Sequence, residues 1–321
     1  MAVAGPVLTG PATPEESLPR PVPLVCPACR GPLARDGSGA RCARCRASYP
    51  ERDGILLLVT GRRGAPGYDP HYFSTLPDVE DAHFWYVERR AVILDALRAT
   101  VPDLSSRPLF DVGCGSGGLL AFLARSGVTV AGACDAYPQG LALARRRLGV
   151  PLVLVDEDGA PPLGPGHALL GLFDVLEHLD DDAGALRFLW SALEPGGVLV
   201  LTVPAHPFLF DEMDELARHR RRYTRRELRG RLEGAGFRVR RLTHFMAPLV
   251  PLLAMVRAAG RRLPGRGRPA RERRDAELRV VPFVNGLLRL VLSLERLWLR
   301  VLPLPFGSSI VAVADRPREG P

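Results

Sequence analysis

The sequence predicts an α/β fold with a doubly wound sheet, preceded by a small cysteine-bearing unit. Two observations carry this prediction. An apolar strand runs into a glycine turn and a helix at residues 108–127, and strand-like and helix-like segments then alternate up to residue 203. The chain has 321 residues, 46% of them hydrophobic, which suffices for about two domains. This composition excludes a disordered or collagen-like protein.

Residues 1–23 are predicted to be a disordered tail. They contain six prolines and lack both the charged start and the long apolar stretch of a signal peptide. The chain also has six cysteines without a recognisable secretion signal, which favours a reducing, cytoplasmic location.

Residues 24–60 carry two CxxC pairs with the spacing of a zinc ribbon. Cys26 and Cys29 form the first pair, and Cys42 and Cys45 form the second pair twelve residues later. Each pair directs two thiolates at one point, so that the four sulfurs can hold Zn²⁺ in a tetrahedron. Because all four positions are cysteine, the predicted zinc is structural and not catalytic. A redox pair of dithiols is the alternative.

The most informative motif is the glycine turn after the first strand of the core. Residues 109–112 read as a short buried strand that contains Asp111, and Gly113, Gly115 and Gly117 follow it. A glycine turn between a strand and a helix lets a ligand approach the backbone and meet the helix N-terminus. The motif therefore predicts a nucleotide-type binding site.

Two further strands end in acidic residues. One ends in Asp135, eighteen residues past Gly117, where a carboxylate can bind the vicinal hydroxyls of a ribose. The next ends at Asp156, which is placed to reach an adenine ring.

With these motifs the chain resembles class I S-adenosylmethionine-dependent methyltransferases over residues 71–245 and again over residues 306–315, which implies a methyltransferase domain at residues 71–315. The segment FDVGCGSGG is similar to their first motif, FDVLEH to their fourth, and EPGGVLVLTVP to their helix-to-strand step. The resemblance implies a Rossmann-like sheet of seven strands. It also implies that the three glycines surround the methionine part of the cofactor, with Asp135 on the ribose and Asp156 near the adenine.

The helix before the glycine turn adds a cofactor candidate. Its aromatic triplet, residues 84–86, resembles a cofactor lid of this family, and Arg89 is then placed to pair with the methionine carboxylate. The alternative is an aromatic staple that fixes the helix to the sheet. We interpret Asp111 as a residue that orders the cofactor loop.

Three residues beyond the carboxyl ends of the strands are candidates for catalysis. His178 follows the fourth strand of the core, and His219 and Tyr223 belong to an HxRRY pattern that recurs in similar methyltransferases. Methyl transfer often needs a base with a pKa near neutrality, which histidine supplies. The alternatives are that His178 only orders its loop and that the HxRRY pattern is an ion-paired helix start, in which Thr224 and Glu227 form a capping box.

The last two predicted strands are separated by an insertion, residues 246–304. It has two apolar segments around an arginine-rich stretch, and residues 218–279 hold 20 arginines against 5 acids in a chain of net charge +8. Arg289, Ser293, Arg296 and Arg300 form one narrow polar stripe at helical spacing. This pattern favours contact with an anionic membrane surface. The alternative is a helical pair that covers the sheet or forms a dimer interface.

We therefore predict transfer of a methyl group from S-adenosylmethionine to a small or lipid-linked acceptor, with peripheral contact to the inner face of the membrane. One alternative is an RNA methyltransferase that uses the zinc ribbon and the arginines to contact phosphates. A nucleic acid partner is less favoured because the ribbon offers few aromatic side chains for stacking. A second alternative is a non-catalytic scaffold that binds the cofactor.

Overall fold

The computed structural model of the protein describes residues 22–61, 70–157, 160–262 and 278–318. Most of the tail predicted at residues 1–23, and much of the arginine-rich stretch of the insertion, lie outside the described residues. The strands are β1 (Leu33–Arg35), β2 (Gly39–Cys42), β3 (Ser48–Arg52), β4 (Ile55–Leu58), β5 (Leu109–Val112), β6 (Val130–Asp135), β7 (Leu152–Val155), β8 (His167–Phe173), β9 (Leu193–Pro204), β10 (Arg238–Phe245) and β11 (Ser309–Asp315). The helices are α1 (Pro70–Val79), α2 (Phe84–Thr100), α3 (Gly118–Arg125), α4 (Pro138–Arg147), α5 (Asp182–Ala192), α6 (Glu212–Leu216), α7 (Arg225–Gly234), α8 (Leu249–Arg262) and α9 (Pro282–Leu299).

The strands form one mixed sheet in the order β1-β2-β3-β4-β7-β6-β5-β8-β9-β11-β10. Neighbours from β4 to β9 are parallel, whereas β11 runs antiparallel to both β9 and β10. Seven strands were predicted, but the described residues form eleven. The difference arises because the strands of the cysteine-bearing unit continue the sheet and do not form a separate body.

The junction between this unit and the core is a parallel pairing of β4 with β7. Ile55 lies opposite Leu152, and Leu58 lies opposite Val155. The guanidinium of Arg30 adds a second tie by donating to the carbonyl oxygens of two residues that follow β7, Pro161 at 3.0 Å and Leu163 at 2.6 Å. The cysteine-bearing unit is thus anchored along an edge of the sheet.

Alternate side chains of the central strands enter two separate cores, as the period of a β-strand requires. In β5, Leu109 joins the core beneath α2, α3 and α4, while Phe110 joins the core beneath α5 and α7. Leu169 and Leu170 of β8 divide in the same way. Both faces of the sheet are therefore covered, and its carboxyl edge is left for a ligand.

The capping box predicted at the start of α7 is confirmed. The Thr224 hydroxyl accepts from the amide of Glu227, and the Glu227 carboxylate accepts from the amide of Thr224 at 2.8 Å. These two bonds satisfy backbone donors that a helix start otherwise leaves unpaired. They fix the point at which the HxRRY segment ends.

The insertion between β10 and β11 is helical in its described residues, where it forms α8 and α9. α9 packs along α2, and the predicted polar stripe faces that helix: Ser293 bonds Glu88, and Arg296 and Arg300 pair with Asp95. None of the helices in the described part of the chain is long and apolar enough to cross a membrane.

Candidate active site

The glycine turn at the end of β5 has the backbone of a ligand cradle. Gly113, Gly115 and Gly117 have φ angles of 84°, 54° and 73°, which other residues adopt only at a steric cost. A Cβ at Gly113 would lie 2.4 Å from Val175 in the loop after β8, whereas one at Gly115 would meet no atom within 4 Å. The turn is therefore closed against its neighbouring loop and open on the side where a ligand would lie.

Asp135 lies at the end of β6 and orders this turn. Its carboxylate accepts from the amide of Gly115 at 2.7 Å and from the amide of Tyr137 at 2.8 Å. Burial raises the pKa of this carboxyl above its ordinary value, and the two amides oppose the rise. The position at the carboxyl end of β6 is the one the sequence assigned to the ribose.

Asp111 is buried in β5 with Oδ1 lacking a hydrogen-bond partner among the described residues. Burial raises the pKa of Asp111 to about 7, Arg89 opposes the rise and Asp135 adds to it. A buried, unpaired carboxyl oxygen beneath the glycine turn is a polar group that a bound ligand or an ordered water can satisfy.

Arg89 on α2 reaches the same edge of the sheet from above. Its guanidinium lies 2.5 Å from the carboxylate of Asp174, donates to Thr202 at 3.2 Å and stacks over the ring of Trp85. The family resemblance implied that Arg89 pairs with the methionine carboxylate of the cofactor. In the structure the anionic partner of Arg89 is Asp174. Asp174 had no sequence signal beyond its position after β8.

Glu80 contacts the glycine turn and was not among the residues predicted from the sequence. Glu80 follows α1 and accepts hydrogen bonds from the Ser116 hydroxyl and from Arg147. Phe73 of α1 lies 6.0 Å from the ring of Tyr137. These contacts hold α1 and the residues after it against the turn.

Asp156, which was predicted to lie near the adenine, binds the end of the cysteine-bearing unit with its carboxylate. Its carboxylate accepts from the Thr60 amide at 2.8 Å and the Thr60 hydroxyl at 2.6 Å, which ties the end of the cysteine-bearing unit to β7. The next residue, Glu157, accepts from the Tyr137 hydroxyl at 2.7 Å and pairs with Arg218 at 3.1 Å. Glu157, and not Asp156, is the acidic side chain that contacts the loops around the site.

The HxRRY segment places His219 on a carboxylate. His219 Nδ1 lies 2.8 Å from Asp214 Oδ1, and Arg222 Nε lies 2.8 Å from the same oxygen. Burial raises the pKa of Asp214, but the bonds from His219 and Arg222 outweigh this effect and lower the pKa to about 2. An imidazole held through Nδ1 by an ionised carboxylate presents Nε2 as a proton acceptor.

His178 and Glu177 lie beside His219 in the loop that also contains Val175. The rings of His178 and His219 meet edge to face with centroids 4.9 Å apart, and Glu177 Oε1 lies 3.9 Å from His219 Nε2. Burial, followed by the charge of Asp174, raises the pKa of Glu177 well above its ordinary value. Burial, followed by His219, lowers the pKa of His178 to about 4. At neutral pH the imidazole of His178 is therefore neutral, and burial disfavours the charged form of the Glu177 carboxyl.

His178 is held by the backbone. Its Nδ1 lies 3.3 Å from the carbonyl oxygen of Arg218, and the amide of Arg220 donates to the carbonyl of Glu177 at 2.8 Å. These contacts join the loop after β8 to the HxRRY segment and keep the two histidine rings together.

Tyr223 was predicted to be catalytic, but its surroundings give it a packing role. The side chain is 3% exposed, and its hydroxyl donates to Asp182 at 2.9 Å. Burial, followed by the charge of Asp182, raises the pKa of Tyr223. The hydroxyl is thus held inside the core formed with α5.

The four cysteines of the N-terminal unit converge, with their sulfurs all within 4.8 Å of one another. Cys26 Sγ lies 3.6 Å from Cys45 Sγ, and Cys29 Sγ lies 3.5 Å from Cys42 Sγ. Zn–S bonds of about 2.3 Å in a tetrahedron place sulfurs about 3.8 Å apart, so these residues fit a zinc ion. The hydroxyl of Tyr49 contacts Cys26 Sγ at 3.0 Å from inside the unit.

Comparison with known proteins identifies the core. Residues 85–242 match the family described as a methyltransferase domain. Over these residues, which make up just under half of the chain, the core is similar to a methyltransferase domain. The match covers α2, the glycine turn, the loop after β8 and the HxRRY segment, and it ends within β10.

Two curated relatives of this methyltransferase domain are 29% identical to the chain. Trans-aconitate 2-methyltransferase of Deinococcus radiodurans aligns over 136 residues, 39% of this chain and 49% of the relative. Ubiquinone biosynthesis O-methyltransferase of Methylobacterium nodulans aligns over 173 residues, 52% of this chain and 63% of the relative. The chain thus spans less than two thirds of either relative.

A solved structure shows the same fold. It is that of a protein from Galdieria sulphuraria proposed to be a sarcosine dimethylglycine methyltransferase, with a TM-score of 0.51 and 12% identity. The superposition covers 78% of this chain and 98% of that one. At this identity the likeness describes the architecture alone.

Proposed function

We propose that the protein transfers a methyl group from S-adenosylmethionine to a small or lipid-linked acceptor, with His219 as the base that deprotonates it. The observation that carries the proposal is the Asp214–His219 pair at the carboxyl edge, 2.8 Å between the two groups. The neighbouring loop after β8 contacts the glycine turn through Val175 and Gly113. The base and the cofactor cradle therefore lie on two segments that both contact the loop after β8.

The described residues fit the cofactor. Gly115 offers an open backbone face, Asp135 stands at the ribose position, and Asp111 has a buried oxygen without a partner among the described residues. We assign the methionine part to the turn formed by Gly113, Gly115 and Gly117. When bound, S-adenosylmethionine supplies an electrophilic methyl group on a sulfonium.

His219 acts on the acceptor side. Its Nε2 would take the proton from an acceptor hydroxyl or amine, and Asp214 would stabilise the resulting imidazolium. Arg222 keeps Asp214 ionised and in place. His178, whose pKa burial lowers to about 4, stays neutral beside His219 and adds no positive charge next to the imidazolium.

The two curated relatives support an organic acceptor of low mass. Their names give trans-aconitate as one substrate and an oxygen acceptor in ubiquinone biosynthesis as the other reaction. A lipid-linked acceptor is supported further by exposed apolar side chains close to the carboxyl edge. Phe208 and Phe306 are 59% and 40% exposed, and both pack against His206 just after β9.

We also propose that the four cysteines bind a structural Zn²⁺. The sulfur spacing supports this assignment, and four thiolates leave no coordination position for a water. The metal would hold the three strands β1, β2 and β3 together beside β4, because so small a unit lacks an apolar core of its own.

The decisive experiment measures cofactor binding and then methyl transfer. Isothermal titration calorimetry with S-adenosylmethionine should show binding by the wild type and none by Gly115→Arg, whose side chain would occupy the cradle. Gly127→Arg is the matched control, because Gly127 also has a positive φ and no atom within 4 Å of its Cβ position. Equal binding by Gly115→Arg and Gly127→Arg would refute the site.

Methyl-labelled cell extract identifies the acceptor class. After incubation with the protein, label in the small-molecule or lipid fraction supports the proposal, and label in the RNA fraction overturns the acceptor assignment. Cofactor binding without any labelled fraction would instead indicate a scaffold.

A further inference from the structure

The outward face of α9 consists of apolar side chains. Six of its residues are each between 52% and 83% exposed: Phe283, Leu287, Leu290, Leu294, Leu297 and Trp298. At 3.6 residues per turn they fall within an arc of about 100°. A helix on the surface of a soluble protein ordinarily exposes its polar side to water. α9 has the opposite orientation, with its apolar side exposed and its polar stripe against α2.

Polar contacts hold α9 to the protein. Asn285 accepts from the amide of Phe84 at 2.7 Å and donates to the carbonyl of Ala82 at 3.0 Å. Glu295 accepts from the amides of Met246 and Ala247 at the start of the insertion. Asn285 and Glu295 are thus both paired on the inner side of α9 and fix the helix in place with its apolar face outwards.

The charge of the insertion points to an anionic occupant. Residues 263–281, which connect α8 to α9 along the chain, contain six arginines and three acids, and on α9 itself Arg289 is exposed whereas Glu295 bonds inwards. In a two-fold dimer each interface patch meets its own copy, which offers no anion to neutralise Arg289. An anionic lipid surface instead neutralises the arginines while its acyl region accepts the apolar side chains.

The position of α9 relates this face to the active site. Asn285 bonds the first residue of α2, and Ser293 bonds Glu88, the neighbour of Arg89. Arg89 in turn contacts Asp174 and Thr202 at the carboxyl edge. α9 therefore starts beside the edge that carries the cofactor turn and His219.

We propose that the outward face of α9 docks onto an anionic lipid bilayer and lies in its interface, without crossing it. Docking places the carboxyl edge beside the bilayer, where a lipid-linked acceptor is within reach. Access of a lipid-linked acceptor to the site rests on the proposed methyl transfer, whereas the docking of α9 does not.

The test uses the full-length protein and vesicles of phosphatidylcholine with and without phosphatidylglycerol. We expect flotation with the anionic vesicles only, together with a blue shift of Trp298 emission that Trp298→Phe removes. The double substitution Leu290→Glu and Leu294→Glu should weaken vesicle binding by about tenfold or more, because it puts charge into the apolar region. Arg229→Glu on α7 is the control, since it makes the same change of two charges on the opposite face of the sheet.

Two results would overturn docking. One is equal flotation of the double variant and the wild type. The other is sedimentation showing that the double variant converts a dimer into a monomer while neither protein binds vesicles, which would assign the face to a second copy. Calorimetry with S-adenosylmethionine in the absence of vesicles separates the two proposals, because the double variant should bind the cofactor as the wild type does.

Discussion

The Nδ1 atom of His219 and the Nε atom of Arg222 both lie 2.8 Å from one oxygen of Asp214. The other oxygen accepts from the amide of Asp211 at 3.0 Å, within the capping box of α6. A carboxylate held by three donors has little freedom to turn. The orientation of the His219 ring is therefore built into the start of a helix.

His219→Asn should reduce kcat by about 10²–10⁴-fold, the usual contribution of a general base. The affinity for S-adenosylmethionine should change little, because His219 contacts the acceptor side. Asp214→Asn should reduce kcat as well, since an amide neither ionises nor stabilises an imidazolium. Single-turnover methyl transfer to the identified acceptor provides the measurement.

Arg220→Gln serves as the control for these variants. Arg220 is adjacent to His219, but its side chain is about half exposed and pairs with the exposed Asp180. A surface pair of this kind contributes little. If Arg220→Gln loses as much activity as His219→Asn, the base assignment is wrong and the segment acts through its overall charge.

Local patterns predicted the parts of the fold that depend on neighbouring residues. The glycine turn and the capping box of Thr224 are examples, because each is determined within a few positions. Asp214 could not be selected from the run DEMDE, in which four of five residues are acidic. Its role depends on where β9 and the HxRRY segment bring His219. The pairing of Asp156 with Thr60 likewise depends on β4 joining β7.

The orientation of α9, with its apolar side outwards, could not be predicted from the sequence pattern. Its periodicity predicted a polar stripe, and the structure has that stripe, but periodicity cannot say which side faces the protein. Asp95 and Glu88 on α2, some 200 residues earlier in the chain, attract the stripe inwards. Long-range charge pairs of this kind leave no local signal.

Cys42→Ser should remove the bound metal and lower the melting temperature of the whole protein by about 5–10 °C. The reason is that β4 belongs to the same sheet as the methyltransferase core, so that an unfolded ribbon leaves the edge of β7 uncovered. Zinc content by mass spectrometry and thermal unfolding by calorimetry give the two measurements. Ala43→Ser, within the same CxxC pair, should retain the metal. A variant without metal that melts at the wild-type temperature would contradict this coupling.

Asn285→Ala should destabilise the protein by about 1–2 kcal/mol, because it removes two hydrogen bonds between α9 and the start of α2. We also expect weaker binding of S-adenosylmethionine, by a fewfold, since α2 carries Arg89 into the site. Gly286→Ala provides the contrast. A Cβ at Gly286 meets no atom within 4 Å, so that the better helix propensity of alanine should stabilise α9. Equal cofactor affinity in both variants would show that α9 does not support the site.

His167 should make the protein sensitive to acid. It is 5% exposed at the start of β8, its ring lies against Phe110, and burial lowers its pKa to about 4. The folded pKa lies below the value of about 6.5 for free histidine, so the unfolded chain takes up the proton first as the pH falls. The stability that His167 contributes is therefore complete above about pH 6.5 and decreases as the pH falls towards 4.

A substitution that cannot protonate isolates this contribution from those of the buried carboxyl groups. His167→Gln should be less stable than the wild type at neutral pH, and the deficit should shrink by about 2–3 kcal/mol between pH 7 and pH 4. Urea unfolding at a series of pH values measures the difference between the two proteins. A difference that stays constant over this range would mean that His167 titrates alike in the folded and unfolded chains. Burial beneath the sheet would then not exclude its charged form.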